Sequence, residues 1–455
     1  MVSKDSSILV IGAGTWGSSI ALELVRNGYT RVTVLDAEEV PSSIAAGNDV
    51  NKIMDEGPQS EENTDSAYAW NRLHTICTES WLHDSIYKPF YHRTGYVSAA
   101  SSDAAYTALL EEIQGHENEY QPIDSADEFR STMPKGVLTG DFVGWRGFAK
   151  SGSAGWVFAR GAIIAAKQEA EKLGAQFITG RKGEVVELVF SENPEASSSH
   201  SIEKRQLKGV KTADGTIHRT HTTILANGAN ADLLLDLKYQ LRPTAWTLAH
   251  IKMTPSEAEL YKDLPVLFNI EKGFFMEPSA ETHELKFCDE HPGYINPIYS
   301  AEEGQKGKKT IIGSRPFARN QIPLESEARM RSFLSETMPH LAKRPFSFAR
   351  ICWDADTPDR MPLISWYGGR NENDQEKSFL LAIGGSGHCF KTMPAMGQMV
   401  LEFLESREDE RTRHAFRWRP ETAVNRDWWD VQGRWGADGK VMDFADVKGW
   451  TGIGK

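Results

Sequence analysis

A chain of 455 residues is too long for one simple hydrophobic core, so two or three domains are expected, possible interleaving included. With 40% hydrophobic and 25% charged residues the composition is that of an ordinary globular protein, and no apolar run approaches the ~18 residues of a membrane span. A net charge of −12, from 51 basic and 63 acidic residues, argues against nucleic acid and anionic membrane as partners, since both call for a basic surface. Four widely spaced cysteines (Cys77, Cys288, Cys352, Cys389), with no C-x-x-C, form neither a disulfide framework nor a zinc site; a reducing, cytoplasmic compartment is expected. The N-terminus runs straight into the first apolar run, which leaves no room for a signal peptide.

That run, Ile8–Ile11, suits one buried strand. Gly12-Ala13-Gly14-Thr15-Trp16-Gly17 follows and fits G-x-G-x-x-G; a helical pattern through Ile20, Ala21, Leu24 and Val25 ends at Gly28, placed as a left-handed C′ residue. A second strand, Arg31–Leu35, finishes at Asp36, 24 positions after Gly12. Strand before, helix after and acid beyond are the context of a dinucleotide fingerprint. Gly12 allows the tight turn, Gly14 lets backbone approach a pyrophosphate, Gly17 lets helix pack on sheet, and Asp36 accepts from ribose hydroxyls. Asp36 disfavours NADP, but the stretch alone leaves FAD and NAD open.

Onward, Ala45–Ile53 is a polar, small-residue segment where a connection approaches the cofactor, and residues 57–66 read as a loop. Helices are expected at Ala67–Trp81, Ala104–Ile113, Phe129–Met133 and Ala159–Leu173, and strands at Tyr91–Ala99 and Gln176–Thr179. A hairpin pairs Val185–Phe190 with Leu207–Thr212 around an insert, Ser191–Arg205; strands Thr216–Thr220 and Thr222–Ala226 follow, then a helix Ala231–Leu237. The turn Ala226-Asn227-Gly228 opens that helix from an apolar strand, and beside the first fingerprint it moves the choice towards FAD. From Leu241 the character changes: Leu241–Met253 alternates as a strand, and Gly273–Glu277 with Glu284–Cys288 makes a hairpin, as in an antiparallel sheet. A helix spans Ser326–Thr337, residues 370–377 read as a loop, and Phe379–Ile383 and Thr392–Leu404 form a strand and a helix.

Two late stretches carry chemistry. In Arg350–Arg360, Cys352 is a buried small hydrophobe on residue-type frequencies alone. Followed by Thr357-Pro358-Asp359, however, it resembles the segment of sarcosine oxidases and amadoriases whose thiolate is bonded to flavin, and Arg350 is near enough in sequence to favour a thiolate. Gly384-Gly385-Ser386-Gly387-His388-Cys389-Phe390-Lys391 reads as a Gly-rich turn between strand and helix. With GAGTWG, AGNDVNK, GDFVGW, LRPTAWTLAHI, FNIEKGFFMEP, CDEHPG, RPFSFARICW and GRWG, nearly the whole chain resembles fungal amadoriases (fructosyl amino acid oxidases), flavoproteins of the D-amino acid oxidase and monomeric sarcosine oxidase superfamily.

The resemblance implies an α/β (α+β) architecture: a Rossmann-like FAD-binding domain of the glutathione-reductase type (residues 1–66, 151–240 and 346–455) interleaved with an antiparallel-sheet substrate domain (67–150 and 241–345). It implies FAD, covalent through Cys352, with Gly47, Asn48, Val185, Gly228, Gly384, Gly385, Gly387 and Phe390 also beside it. Lys52 would stand near flavin N5 and promote reaction with O₂. Glu290 would hold the substrate's ammonium or amine, Arg434 its carboxylate and Lys391 its sugar or carboxylate end, with Trp246 lining the pocket. The implied reaction is oxidation of the secondary amine of a fructosyl amino acid, releasing amino acid, glucosone and hydrogen peroxide; oxidation of another secondary amine, such as sarcosine, pipecolate, saccharopine or an N-methyl amino acid, is the alternative. Partners are the small substrate and O₂, and a monomer is expected. Relatives often end in a serine-lysine-leucine-type peroxisomal signal, which Gly452-Ile453-Gly454-Lys455 lacks.

Overall fold

The computed structural model describes residues 2–57, 59–191, 206–303, 309–367 and 378–452; the insert expected at 191–205, the loop at 370–377 and the last three residues fall largely or wholly outside it. Ile8–Ile11 is buried on both faces, which is why it is apolar at every position. It pairs in parallel with Val32–Leu35 on one side and Thr222–Leu225 on the other. The full sheet runs Leu363–Trp366, Phe379–Ile383, Thr222–Leu225, Ile8–Ile11, Val32–Leu35, Gln176–Ile178, with only Leu363–Trp366 antiparallel. Because the chain leaves the first strand towards Val32 and later fills in on the other side, the carboxyl end of Ile8–Ile11 is a topological switch point, where open α/β sheets bind ligands.

The helix Thr15–Arg26 covers this sheet with Ile20, Ala21 and Leu24 inward, and stops where Gly28 turns left-handed at φ +82°. Met393–Glu405 and Ala159–Lys172 pack on either side of it. The helix Asp65–His83, started by the Thr64 side chain accepting from Ala67 N, lies against Met393–Glu405.

The second body is a ten-stranded, largely antiparallel sheet built on the long strand Arg242–Lys252. Glu284–Asp289 and Gly273–Phe275 lie to one side as the expected hairpin, followed by Val266–Asn269, Tyr96–Ala100, Arg146–Lys150 and Gln121–Ile123. Its core is aromatic, with Phe129, Phe142, Trp145, Phe275, Phe287 and Phe333 together, closed by the helix Leu324–Thr337.

Four expectations are corrected. Tyr91–Ala99 is two strands in two sheets, Tyr91–His92 and Tyr96–Ala100, because Gly95 bends the chain at φ +94°. The helix from Ala231 ends at Leu234, since Lys238 and Tyr239 both take left-handed backbone and turn the chain into the long strand. The helix at Phe129–Met133 lies instead at Ala126–Ser131, started by a capping box of Ser125 and Glu128. The segment from 346 does not go directly to the nucleotide sheet: Phe348–Asp356 pairs with Arg242–Lys252 from His250↔Phe348 to Arg242↔Asp356, and only then does the chain return through Leu363–Trp366. Phe348–Asp356 is buried on both faces, and a strand's own residues do not name its partner strand.

Candidate active site

A cavity of about 420 Å³ opens at the switch point. Gly12, Gly14, Thr15, Trp16, Asp36, Gly47, Lys52, Val185, Ala226, Gly228, Gly384, Gly385, Gly387 and Phe390 line it. Gly12 has φ +97°, and a Cβ on Gly17 would stand 1.8 Å from Gly12 O, so helix and turn touch only because Gly17 has no side chain. A Cβ on Gly14 would meet nothing within 4 Å. The helix begins with no side-chain cap, so its first N–H groups and positive dipole end face the cavity. Asp36 accepts from Ala13 N (2.8 Å) and Glu38 N (3.0 Å), and burial raises its carboxyl against those bonds. Asn227 Oδ1 is buried with no partner among the described residues. An uncapped helix start, a Cβ-free approach and an orphaned acceptor fit the phosphates and ribose of a dinucleotide.

At the other end Lys52 enters the cavity from the strand Lys52–Asp55. Its Nζ lies 2.8 Å from Asp49 Oδ2, and Lys286 Nζ lies 2.9 Å from the same oxygen. Burial would raise the Asp49 carboxyl; Lys286, Lys52 and Arg350 outweigh burial and hold it far below the usual range. Burial lowers the Lys52 ammonium, but Asp49 more than restores it, with Cys352 and Cys288 also within electrostatic range. Two ammonium groups on one carboxylate leave one positive charge. Cys352 is buried opposite Trp246, among Ala46, Leu248 and Cys288, next to the lining residues Trp353, Asp354 and Ala355. Arg350 does not address this thiol: it donates to the carbonyls of Ser43, Ala45 and Asn48 and braces that loop. The side chain of Asn48 holds the same loop, donating to Pro41 O and Ser42 O and accepting from Arg160.

Beyond the turn Gly384–Gly387 lies a charged cluster. Arg434 donates to both Asp356 oxygens (2.9 and 2.7 Å), to Gln432 Oε1 (3.3 Å) and to Ser386 O (3.1 Å). Arg242, fully buried, donates to the same Asp356 (3.1 Å). Burial would raise Asp356; the two guanidinium groups hold it well below the carboxylate range. The guanidinium of Arg434 also lies 5.0 Å from the Trp246 ring, whose other neighbour is His291 at 5.2 Å. Glu290 is half-buried; burial and Asp289 raise its carboxyl to about 8 against the pull of Arg434 and Arg360. Lys391 offers its carbonyl to Trp81 Nε1 (2.6 Å), and its ammonium is within electrostatic range of His74, His388 and Glu112. Among the described residues neither Lys391 nor Arg360 forms a salt bridge. The structure thus gathers Glu290, Lys391, Arg434 and Trp246 round one turn, although they stand far apart in the chain.

Sequence reading missed Asp356, Arg242, Arg360, Asp49 and Lys286. Asp356 and Arg360 flank the Thr357-Pro358-Asp359 signal and were within reach of it; Arg242 and Lys286 are strand residues of a kind that ordinarily reads as surface. It also missed Glu184 in the cavity wall.

Residues 7–403 match the FAD dependent oxidoreductase (DAO) family. Amadoriase I of Aspergillus fumigatus, a fructosyl amine:oxygen oxidoreductase, is 47% identical with a TM-score of 0.90, covering 100% of this chain and 99% of that one. The deglycating fructosamine oxidase Amadoriase II of the same fungus is 44% identical with a TM-score of 0.90 over the same shares. L-saccharopine oxidase of Schizosaccharomyces pombe is 26% identical over 451 residues, 97% of this chain and 98% of that protein. The chain belongs to the FAD-dependent oxidoreductase family and is an oxidase with the fold of the amadoriases.

Proposed function

We propose that the chain oxidises the secondary amine of fructosyl amino acids with O₂, yielding amino acid, glucosone and hydrogen peroxide. The observation that carries this reading is identity of 47% to Amadoriase I over the whole chain, with a nucleotide cradle that runs into a cluster of one titratable carboxyl and several cations. The turn Gly12–Gly17 and the helix start would hold the pyrophosphate, Asp36 the ribose, and Cys352 would be the point of covalent attachment to the flavin. FAD supplies the two-electron oxidation of the C–N bond. The protein orients the substrate, excludes water and sets charge. Lys52, carrying with Lys286 the surplus charge over Asp49, would present positive charge in the cavity where O₂ is reduced. Glu290, its carboxyl raised to about 8 by burial and Asp289, holds the amine end; Lys391 and Arg434 hold the polar ends of the adduct. The enzyme acts as a monomer, in the cytoplasm.

A second reading, a secondary amine of the saccharopine kind, is favoured by the whole-length match to L-saccharopine oxidase. Peroxide release across a panel separates the two. Turnover of fructosyl-valine or Nε-fructosyl-lysine supports the first; turnover of saccharopine, sarcosine or pipecolate alone overturns it. Flavin that stays with acid-precipitated polypeptide supports the Cys352 bond.

A further inference from the structure

We propose that Arg360 supplies the uncompensated positive charge that holds the carboxylate of the substrate's amino acid portion, beside Arg434. This rests on the reading that the substrate is an amino acid adduct.

Arg434 has little left to give. A guanidinium has five N–H donors, four of them on the two Nη atoms. In Arg434 these four are directed at Asp356 Oδ1, Asp356 Oδ2, Gln432 Oε1 and Ser386 O, which leaves Nε–H alone. Its charge is matched by a bidentate carboxylate, although Arg242 draws on the same group. Arg242 is fully buried and gives its Nη hydrogens to Trp428 O, Asp430 O, Asp356 and Gln432, so it cannot reach a ligand.

Arg360 is the contrary case. It forms no ion pair among the described residues, and its contacts are long: Gln432 O at 3.3 Å, Ser386 O at 3.4 Å and His388 Nδ1 at 3.2 Å. The last is in competition, because His388 Nδ1 also lies 2.9 Å from Ser386 O, and one ring nitrogen cannot donate to the carbonyl and accept from the guanidinium together. Arg360 Nε is buried with no partner among the described residues. An unpaired buried N–H on a charged group is costly unless something meets it. The backbone agrees: Arg360 sits at φ +59°, a left-handed conformation that costs an L residue and that surrounding structure must impose.

The position is that of the site. Arg360 bridges the turn Gly384–Gly387, which lines the cavity, and the segment Gln432–Arg434. Both Arg360 and Arg434 act electrostatically on Glu290. A planar cation with free N–H groups, beside a carboxyl that takes the amine end, matches an α-amino acid whose carboxylate lies a few ångströms from its nitrogen.

The test compares fructosyl-valine with its uncharged amide, fructosyl-valinamide, in the flavin-loaded enzyme and in Arg360→Gln and Arg360→Lys, with kcat and KM read from peroxide release. Arg360→Gln is expected to cut the preference for carboxylate over amide about tenfold or more, through KM, and Arg360→Lys to restore part of it. If Arg360 only braces the turn, both substrates lose equally in both variants, and that result overturns the proposal. Melting temperature and flavin content of the two variants show whether each is folded. If the parent oxidises neither substrate, the functional reading fails instead. Binding of benzoate against benzamide, followed by the shift of the flavin absorption band, then decides Arg360: about tenfold weaker benzoate binding in Arg360→Gln sustains the site, and unchanged binding removes it.

Discussion

Asp356 is the residue whose loss the structure prices most clearly. It is fully buried and accepts from Arg434 Nη1 and Nη2, Arg242 Nη2 and Thr244 Oγ1. Asp356→Ala leaves two buried guanidinium groups, Arg242 and Arg434, facing each other with no anion between them. Breaking a buried pair from one side costs about 3–5 kcal/mol. Unfolding entropy of about 2.1 cal/mol/K per residue, over 455 residues, is about 1 kcal/mol/K, so the melting temperature should fall by about 3–5 °C. The carboxyl is held below its unfolded value of about 3.9, so this stabilisation is present above about pH 4 and is lost only as pH falls through the lower folded value. At pH 7 the loss is therefore full. The freed Arg434 no longer keeps its place over Trp246, and KM for a carboxylate substrate should rise with it. Thermal unfolding by circular dichroism and peroxide-release kinetics measure the two effects. A melting temperature within 1 °C of the parent, with unchanged KM, would refute the reasoning that Asp356 clamps the site.

Three further outcomes are expected. In Cys352→Ser, flavin should pass into the supernatant on acid precipitation; retention on the polypeptide would place the bond elsewhere. Gly17→Ala puts a Cβ 1.8 Å from Gly12 O, and overpacking of about 1–3 kcal/mol should lower the flavin-to-protein ratio after purification, read from the visible and ultraviolet absorbances. Because the Glu290 carboxyl is raised to about 8, it is uncharged below that pH and charged above it; log kcat/KM for a fructosyl amino acid should climb with pH towards about 8, and Glu290→Gln should flatten that limb. A limb unchanged in Glu290→Gln would assign the titration to another group.

Where a signal is local, the sequence carries it. Gly12 and Gly17 are forced by one turn, and Asp36 closes the same unit 24 residues after Gly12, so the spacing within its strand–turn–helix context reveals the cradle. Tyr91–Ala99 fails for an equally local reason, since one glycine inside a strand-like stretch does not announce that its halves join different sheets. The clamp is legible by neither route. Arg242, Asp356, Arg360 and Arg434 come from a long strand, the end of its partner, a strained turn and the late segment 432–434, and nothing periodic links them. Arg434 shows the limit best: a family pattern implies that it meets the substrate, and only the fold reveals that four of its hydrogens are already spoken for.

The strand Phe348–Asp356, laid along Arg242–Lys252, has a consequence for how the enzyme is made. It brings Trp353, Asp354 and Ala355 to the wall of a cavity whose first residues are Ile11 and Gly12. Asp354 leaves the ribosome 342 residues after Gly12, about 17–70 s later at ordinary rates of synthesis. In that interval the first strand, turn and helix also lack the strand Phe379–Ile383 and the helix Met393–Glu405 that complete their sheet and core, so neither side of the cavity is closed. The cofactor cavity is thereby a late product of synthesis, with both of its sides waiting for the last quarter of the polypeptide.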